Sequence, residues 1–293
     1  MSKKDYFYTL ELNFAVFLFG GAGLFGKLLN YPPAIIVLAR VVFSALFLFV
    51  FVKIRRVSFF LKNKGLYLTL FFSAVLLSFH WIAFFQAVKL STVALALLSY
   101  STFPVFISLM EPFFFKSKIS MREIMISIVA LLGIYILIPS FSLSSLKFKG
   151  VMLGIVSGFL FALLSIVNRK QVKNIPSIIV TFYQHLFSVF ILLPLSLSLK
   201  KAPSLKEWAY FILLGILFTA VAHLLFIDSL VRFKAFTAGI IATMEPVYGS
   251  LFALIVLKEI PATRTLVGGM IVLGASVYAI ISSSKNKGGY NGI

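Results

Sequence analysis

Long apolar runs separated by short polar joints set the pattern of this chain. The joints carry Lys, Arg, Pro, Ser or Asn, as in Lys53-Ile54-Arg55-Arg56 and Lys200-Lys201-Ala202-Pro203. A helix that crosses the hydrocarbon of a bilayer takes roughly 20 mostly apolar residues. Runs of that length lie at 9–28, 34–52, 66–87, 93–115, 121–139, 150–170, 177–199, 207–230, 236–257 and 263–282. The pattern predicts an all-α integral membrane protein of ten transmembrane helices. The first run is too long and too rich in glycine for a removable signal, and reads as a retained helix. No polar stretch is long enough to form a soluble domain. The segment from Lys285 to Ile293 is rich in Gly, Lys and Asn and is expected to be a disordered tail.

Composition agrees. The 293 residues are 61% hydrophobic with a mean hydropathy of +1.07, against about 45–50% apolar for a soluble domain. The 34 phenylalanines suit a surface packed against lipid. Net charge is +19, a balance that elsewhere suggests nucleic acid. Here the basic residues sit in the joints between apolar runs, so their partners are membrane lipids rather than nucleic acid. With the N-terminus inside, the cytoplasmic joints hold the larger share, including Lys53, Arg55, Arg56, Lys62, Lys64, Lys116, Lys118, Arg122, Arg169, Lys170 and Lys173. The outer joints hold fewer, among them Lys147, Lys149, Lys200 and Lys201. This predicts a multi-pass protein of the cell membrane with both termini cytoplasmic. The chain has no cysteine, which excludes disulfides, thiolate metal sites and thiol catalysis.

The two halves of the pattern repeat. A shift of 142 residues sets Ala96 on Ala238, Pro104 on Pro246, Ser108 on Ser250, Lys116 on Lys258 and Lys27 on Arg169. With a one-residue gap, Leu132-Gly133 meets Leu273-Gly274. The expected units are residues 1–143 and 144–284. Five helices per unit is an odd number, so the second unit enters the membrane from the opposite side. Such an inverted repeat is how many secondary transporters obtain two related access states.

The motifs Met244-Glu245-Pro246-Val247, Leu257-Lys258-Glu259 and Gly268 to Leu273-Gly274 in the second half, with Leu38-Ala39-Arg40-Val41 and Ala87-Val88-Lys89 leading to Pro104 in the first, carry a resemblance. In order and spacing they resemble the drug/metabolite transporter superfamily, in its EamA-type branch of ten-helix proteins, over nearly the whole chain. The resemblance implies a carrier of small metabolites, with exporters of amino acids and related compounds as the expected function. Family members often carry an acid after helix four as well as after helix nine. Here Glu259 fits, but its first-half counterpart is Ser117.

Ionisable groups inside a span are costly and mark function by default. Glu245 lies in mid-span directly before Pro246; it reads either as a carboxylate for a substrate amine or a coupling proton, or as a structural acid that stabilises the kink. His80, His185 and His223 all fall within spans, where each is either a proton-transfer candidate or a neutral imidazole bonded across helices. Tyr183-Gln184-His185 is a polar patch, and Gln184 and His80 join His185 as binding candidates. Arg40 could hold a substrate carboxylate, snorkel outward or pair with Glu245. Trp81, Tyr100 and Tyr248 are the aromatic binding candidates; Tyr135, Tyr183 and Tyr278 lie nearer helix ends and suit interface anchoring. Pro104 and Pro246 are expected to break their helices, and the polar residues beside them (Ser99, Ser101 and Thr102; Thr243) place a cavity between helices four and nine. Glu11, Glu111 and Asp228 are expected to pair with neighbouring basic residues. Gly150, Gly154 and Gly158 read as a stripe for close helix packing.

Secondary transport of a small metabolite, driven or not by protons, is the function this pattern favours. A passive channel is the alternative, although no filter motif or pore ring is visible. An intramembrane enzyme finds little support: there is no HExxH, and the two aspartates are Asp5 and Asp228. No phosphate loop, cofactor motif or metal cluster appears.

Overall fold

The computed structural model describes residues 3–115, 121–137, 142–198 and 201–285. Of the expected tail, residues 286–293 fall outside them, as does Ser117, while Lys285 ends the last helix. Among the described residues every regular element is helical. Eight rods are long and apolar enough to cross a bilayer: Phe7–Leu28, Pro33–Ile54, Gly65–Leu90, Val93–Phe115, Leu146–Gln171, Ser177–Leu195, Leu205–Ser229 and Ala235–Leu257. Two further helices, Met121–Leu137 and Thr263–Lys285, complete ten. The ten are numbered here as spans in chain order. Large apolar side chains such as Phe7, Phe79 and Phe113 point outward, as a lipid-facing wall requires.

The twofold relation between the halves is visible in which spans touch. Span three packs on six as eight packs on one; four packs on six as nine packs on one; three packs on seven as eight packs on two. Spans two and seven pack on each other, as do five and ten, so each pair is carried onto itself when the halves are exchanged. Spans five and ten form a flanking pair beside the other eight.

Contacts between chain ends give the sidedness. Let the near side be where span one begins. On the far side Lys27 donates to the Ser91 carbonyl oxygen (2.7 Å) and Lys89 to that of Leu29 (3.1 Å). There too the Glu259 carboxylate accepts from the Val93 and Ala94 backbone amides, at 3.2 and 3.3 Å. On the near side Arg169 pairs with Glu111, and the Ser177 hydroxyl donates to Asp228. Consecutive spans therefore alternate in direction. Lys27 and its repeat counterpart Arg169 lie on opposite sides, as two inverted five-helix repeats demand.

Spans four and nine are each two half-helices. Val93–Tyr100 gives way to Phe103–Phe115, and Ala235–Ala242 gives way to Glu245–Phe252. The joints at Ser101-Thr102 and Thr243-Met244 are themselves related by the 142-residue shift. The expected prolines sit just past the joints, each second in its new half-helix. A proline has no amide hydrogen to lose there, and its fixed φ suits a first turn. Pro104 and Pro246 thus start the second half-helices rather than bending one continuous rod.

Candidate functional site

Where the two broken helices meet, the protein encloses a cavity lined by Phe19, Ala22, Arg40, Leu77, His80, Trp81, Phe84, Tyr100, Phe161, His223 and Glu245. Its free volume is about 30 Å³, room for about two water molecules, whereas benzene occupies an engineered cavity of about 150 Å³. The chamber is contracted. A metabolite enters only if the surrounding spans move apart.

Glu245 is the first residue of its half-helix, so its carboxylate stands at the helix N-terminus, where backbone amides favour negative charge. It is buried, and its Oε2 has no hydrogen-bond partner. A buried carboxylate oxygen left unpaired is costly.

Arg40 is fully enclosed, at 2% exposure, so it does not snorkel. Its Nε donates to Thr219 Oγ1 at 2.8 Å, one terminal nitrogen donates to the Phe218 carbonyl oxygen at 3.4 Å, and its guanidinium lies 4.0 Å from the centre of the Trp81 ring. Span eight makes this possible by a wide turn. Ile216–Val221 is π-helical, and Thr219 Oγ1 donates to the Leu214 carbonyl oxygen, five residues back, at 2.6 Å. Gly215 just before it lets the span approach closely: a Cβ there would stand 2.9 Å from the Arg40 carbonyl oxygen. Arg40 and Glu245 face one chamber without forming a salt bridge within 4 Å among the described residues.

The histidines form two systems. His80 Nδ1 faces Ser157, at 2.8 Å from its hydroxyl and 3.0 Å from its carbonyl oxygen. His185 and His223 lie edge to edge, with ring centres 5.1 Å and ring planes 14° apart. His185 Nδ1 meets Ser44 Oγ at 2.5 Å and its Nε2 meets His223 Nδ1 at 2.8 Å, while His223 Nε2 is buried without a partner.

Of the residues expected at a site, the fold brings together Glu245, Arg40, His80, Trp81, Tyr100 and His223 around the chamber. His185 stands behind His223. Gln184 is placed elsewhere: it is buried among Ser73, Asn168 and Gln171, to whose oxygens its Nε2 donates at 2.9, 2.5 and 3.3 Å. Tyr248 is not a lining residue either. Its ring packs edge-on against Phe17, and span one covers it, since a Cβ on Gly20 would lie 2.8 Å from the Tyr248 Cβ. Tyr135 and Tyr278 are exposed on the flanking pair, and the Tyr183 hydroxyl donates to the Phe59 carbonyl oxygen. Glu111 pairs as expected, whereas Asp228 takes its bond from a serine and Glu11 keeps one buried oxygen unpartnered. Phe19, Ala22, Leu77, Phe84 and Phe161 also line the chamber and Thr219 holds Arg40; none was foreseen, and the polar Thr219 one turn before His223 was the signal available.

Residues 11–138 and 148–281 match the EamA-like transporter family, so each half of the chain is covered by one copy of the family's domain. The chain belongs to the EamA-like transporter family. Among curated proteins it is 24% identical over 250 residues to "Uncharacterized transporter YxxF" of Bacillus subtilis, covering 84% of this chain and 80% of that one. It is 23% identical to the "S-adenosylmethionine uptake transporter" of Rickettsia bellii, covering 72% of each chain. It is 24% identical to "Solute carrier family 35 member G1" of Mus musculus, covering 95% of this chain and 80% of that one. A solved crystal structure superposes with a TM-score of 0.73 at 15% identity, covering 94% of this chain and 97% of its own, and so shares the fold. The EamA family places this multi-pass membrane protein among transporters and gives it a small molecule as cargo.

Proposed function

We propose that this EamA-family protein is a secondary transporter of zwitterionic or cationic metabolites of the amino-acid class, working by alternating access as an exporter. The observation that supports it most is the pair of buried, unpartnered polar atoms, Glu245 Oε2 and His223 Nε2, beside Arg40 in a chamber at the junction of the inverted repeats. Glu245 would take the cationic group, Arg40 the carboxylate, and Trp81, Tyr100, Phe84 and Phe161 the apolar body, with aromatic faces available to a positive charge. The relative named for S-adenosylmethionine uptake fits this chemistry, since that molecule is both zwitterionic and cationic. Residues 1–143 and 144–284 would be the units that rock against each other, opening the contracted chamber to one side and then the other. Both termini would be cytoplasmic and the membrane the cell membrane.

Counterflow in proteoliposomes tests this. Vesicles loaded with unlabelled amino acids or S-adenosylmethionine should accumulate the labelled compound, with saturation. Glu245→Gln removes a charge-assisted contact worth about 1.5–3 kcal/mol, so apparent affinity should fall about 10- to 100-fold. Flux that neither saturates nor responds to substrate on the opposite side would mean a channel. No exchange of any compound by folded protein would defeat the proposal.

A further inference from the structure

His185 and His223 are the chamber's unexplained chemistry. They form one continuous row, Ser44 Oγ to His185 to His223, whose last atom, His223 Nε2, is buried and unpartnered. Each neutral imidazole carries one proton, and one proton lies between the rings. Two arrangements satisfy the row. In one, Ser44 donates to His185, His185 donates to His223, and His223 Nε2–H faces the chamber. In the other, His223 Nδ1–H donates to His185 Nε2, His185 Nδ1–H donates to Ser44, and His223 Nε2 presents a bare lone pair. That lone pair can accept a proton from the chamber. The row then holds one added proton and one added positive charge, which either ring can carry because the shared proton moves between them. Ser44 accepts at the far end, so no further bond needs to break.

We propose that the His185–His223 pair is a proton relay that makes this protein a proton/substrate antiporter: protonation of His223 and occupation of Glu245 by a cationic group exclude one another. This rests on reading the chamber as the substrate site. Two extra positive charges beside Arg40, among buried side chains, repel strongly, so the chamber holds one or the other. The groups around His223 are Arg40 of span two, His80 of span three, Tyr100 of span four, His185 of span seven and Glu245 of span nine, with Ser44 of span two behind His185. Span one meets it with Phe19 and Ala22, while its acid Glu11 lies one end further on, by Asp228.

Trp81 provides a readout that needs no substrate, because its ring centre lies 5.6 Å from those of both His185 and His223, and an imidazolium in contact with an indole quenches its emission. The chain has two tryptophans, so a Trp208→Phe background isolates Trp81. Its fluorescence should fall as pH is lowered and the pair takes up its proton. His223→Gln should abolish the fall or move its midpoint by about a unit or more, and His80→Gln should leave it in place. A folded protein with no fall, a midpoint unmoved in His223→Gln, or a fall that vanishes in His80→Gln would overturn the proposal. If Gln at 223 prevents folding, His185→Gln carries the same test. In proteoliposomes loaded with labelled amino acids, external acid should speed efflux and carry protons inward. Efflux that ignores the pH gradient would strike antiport but leave the transporter reading intact. No efflux of any amino acid, with the Trp81 titration present, would strike the transporter reading and with it antiport.

Discussion

Gly158 offers a direct test of how closely the broken helix is held. It lies on span six, facing the joint of span four. A Cβ at this position would stand 2.6 Å from the Tyr100 carbonyl oxygen, 2.7 Å from Thr102 Oγ1 and 3.3 Å from the Phe103 amide nitrogen. Ordinary carbon–oxygen contact begins at about 3.3 Å, so Gly158→Ala demands a shift of about 0.7 Å. Two of the three obstacles are backbone, fixed by the half-helix ends, and cannot swing aside. Overpacking of this kind costs about 1–3 kcal/mol, against a gain of about 1 kcal/mol for alanine over glycine in a helix. Gly274 on span ten is the control, since a Cβ there meets nothing within 4 Å and alanine brings only the gain. The two variants should therefore differ by about 1–3 kcal/mol. For a chain of this size that is about 2–12 °C in melting temperature, with Gly158→Ala the lower. Melts of detergent-purified protein at one scan rate measure it, the fixed rate guarding against irreversible unfolding. Because Tyr100 lines the chamber, substrate exchange should fall as well. Equal melting of the two variants would refute the claim that span six presses on the joint.

Three further outcomes follow from single contacts. Arg40→Lys keeps the charge but cannot both donate to Thr219 and lie flat on Trp81; the apparent affinity in counterflow should weaken about tenfold or more. Arg169→Gln breaks the pair with Glu111 and the contact with the Phe115 ring at 4.3 Å. Both charged groups keep some solvent, at 18% and 11% exposure, so a loss of about 1–2 kcal/mol is expected, and a double-mutant cycle with Glu111→Gln should show the two changes to be non-additive. The chain has no native cysteine, so Lys62→Cys and Lys201→Cys each report one loop, and an impermeant thiol reagent should label the two from opposite sides of the membrane.

What the sequence made legible follows from covalent and periodic constraints. Pro104 and Pro246 announced the two joints because proline acts locally, through a missing donor and a fixed φ. Apolar run length announced the spans because the bilayer imposes it. The residues that joined the site late, or left it, depend on how separate spans approach each other. Tyr248 looked central because it lies away from the helix ends, yet Gly20 and Gly249 draw span one onto span nine, with a Gly20 Cβ position only 2.8 Å from the Gly249 nitrogen, and the tyrosine packs on span one instead of lining the chamber. Gln184 looked like part of the His185 patch, but neighbours in a helix point about 100° apart, and the donors and acceptors of spans three and six took it away from the chamber.

Arg40 carries this argument furthest. Its depth in span two was readable, and three fates were open to it. Which one it met was decided on another span, where six residues from Ile216 to Val221 adopt a wide turn. No proline marks that turn, and its residues have no periodicity to set it apart from an ordinary helix. The turn aims the Phe218 carbonyl and the Thr219 hydroxyl at the guanidinium, so these neutral partners, rather than Glu245, hold the charge. A direct Arg40–Glu245 pair would have satisfied both charges within the protein. On the proposed function, the two charges held apart would each be available to a substrate carrying both signs, and the partners that the π-helical turn gives Arg40 favour that separation.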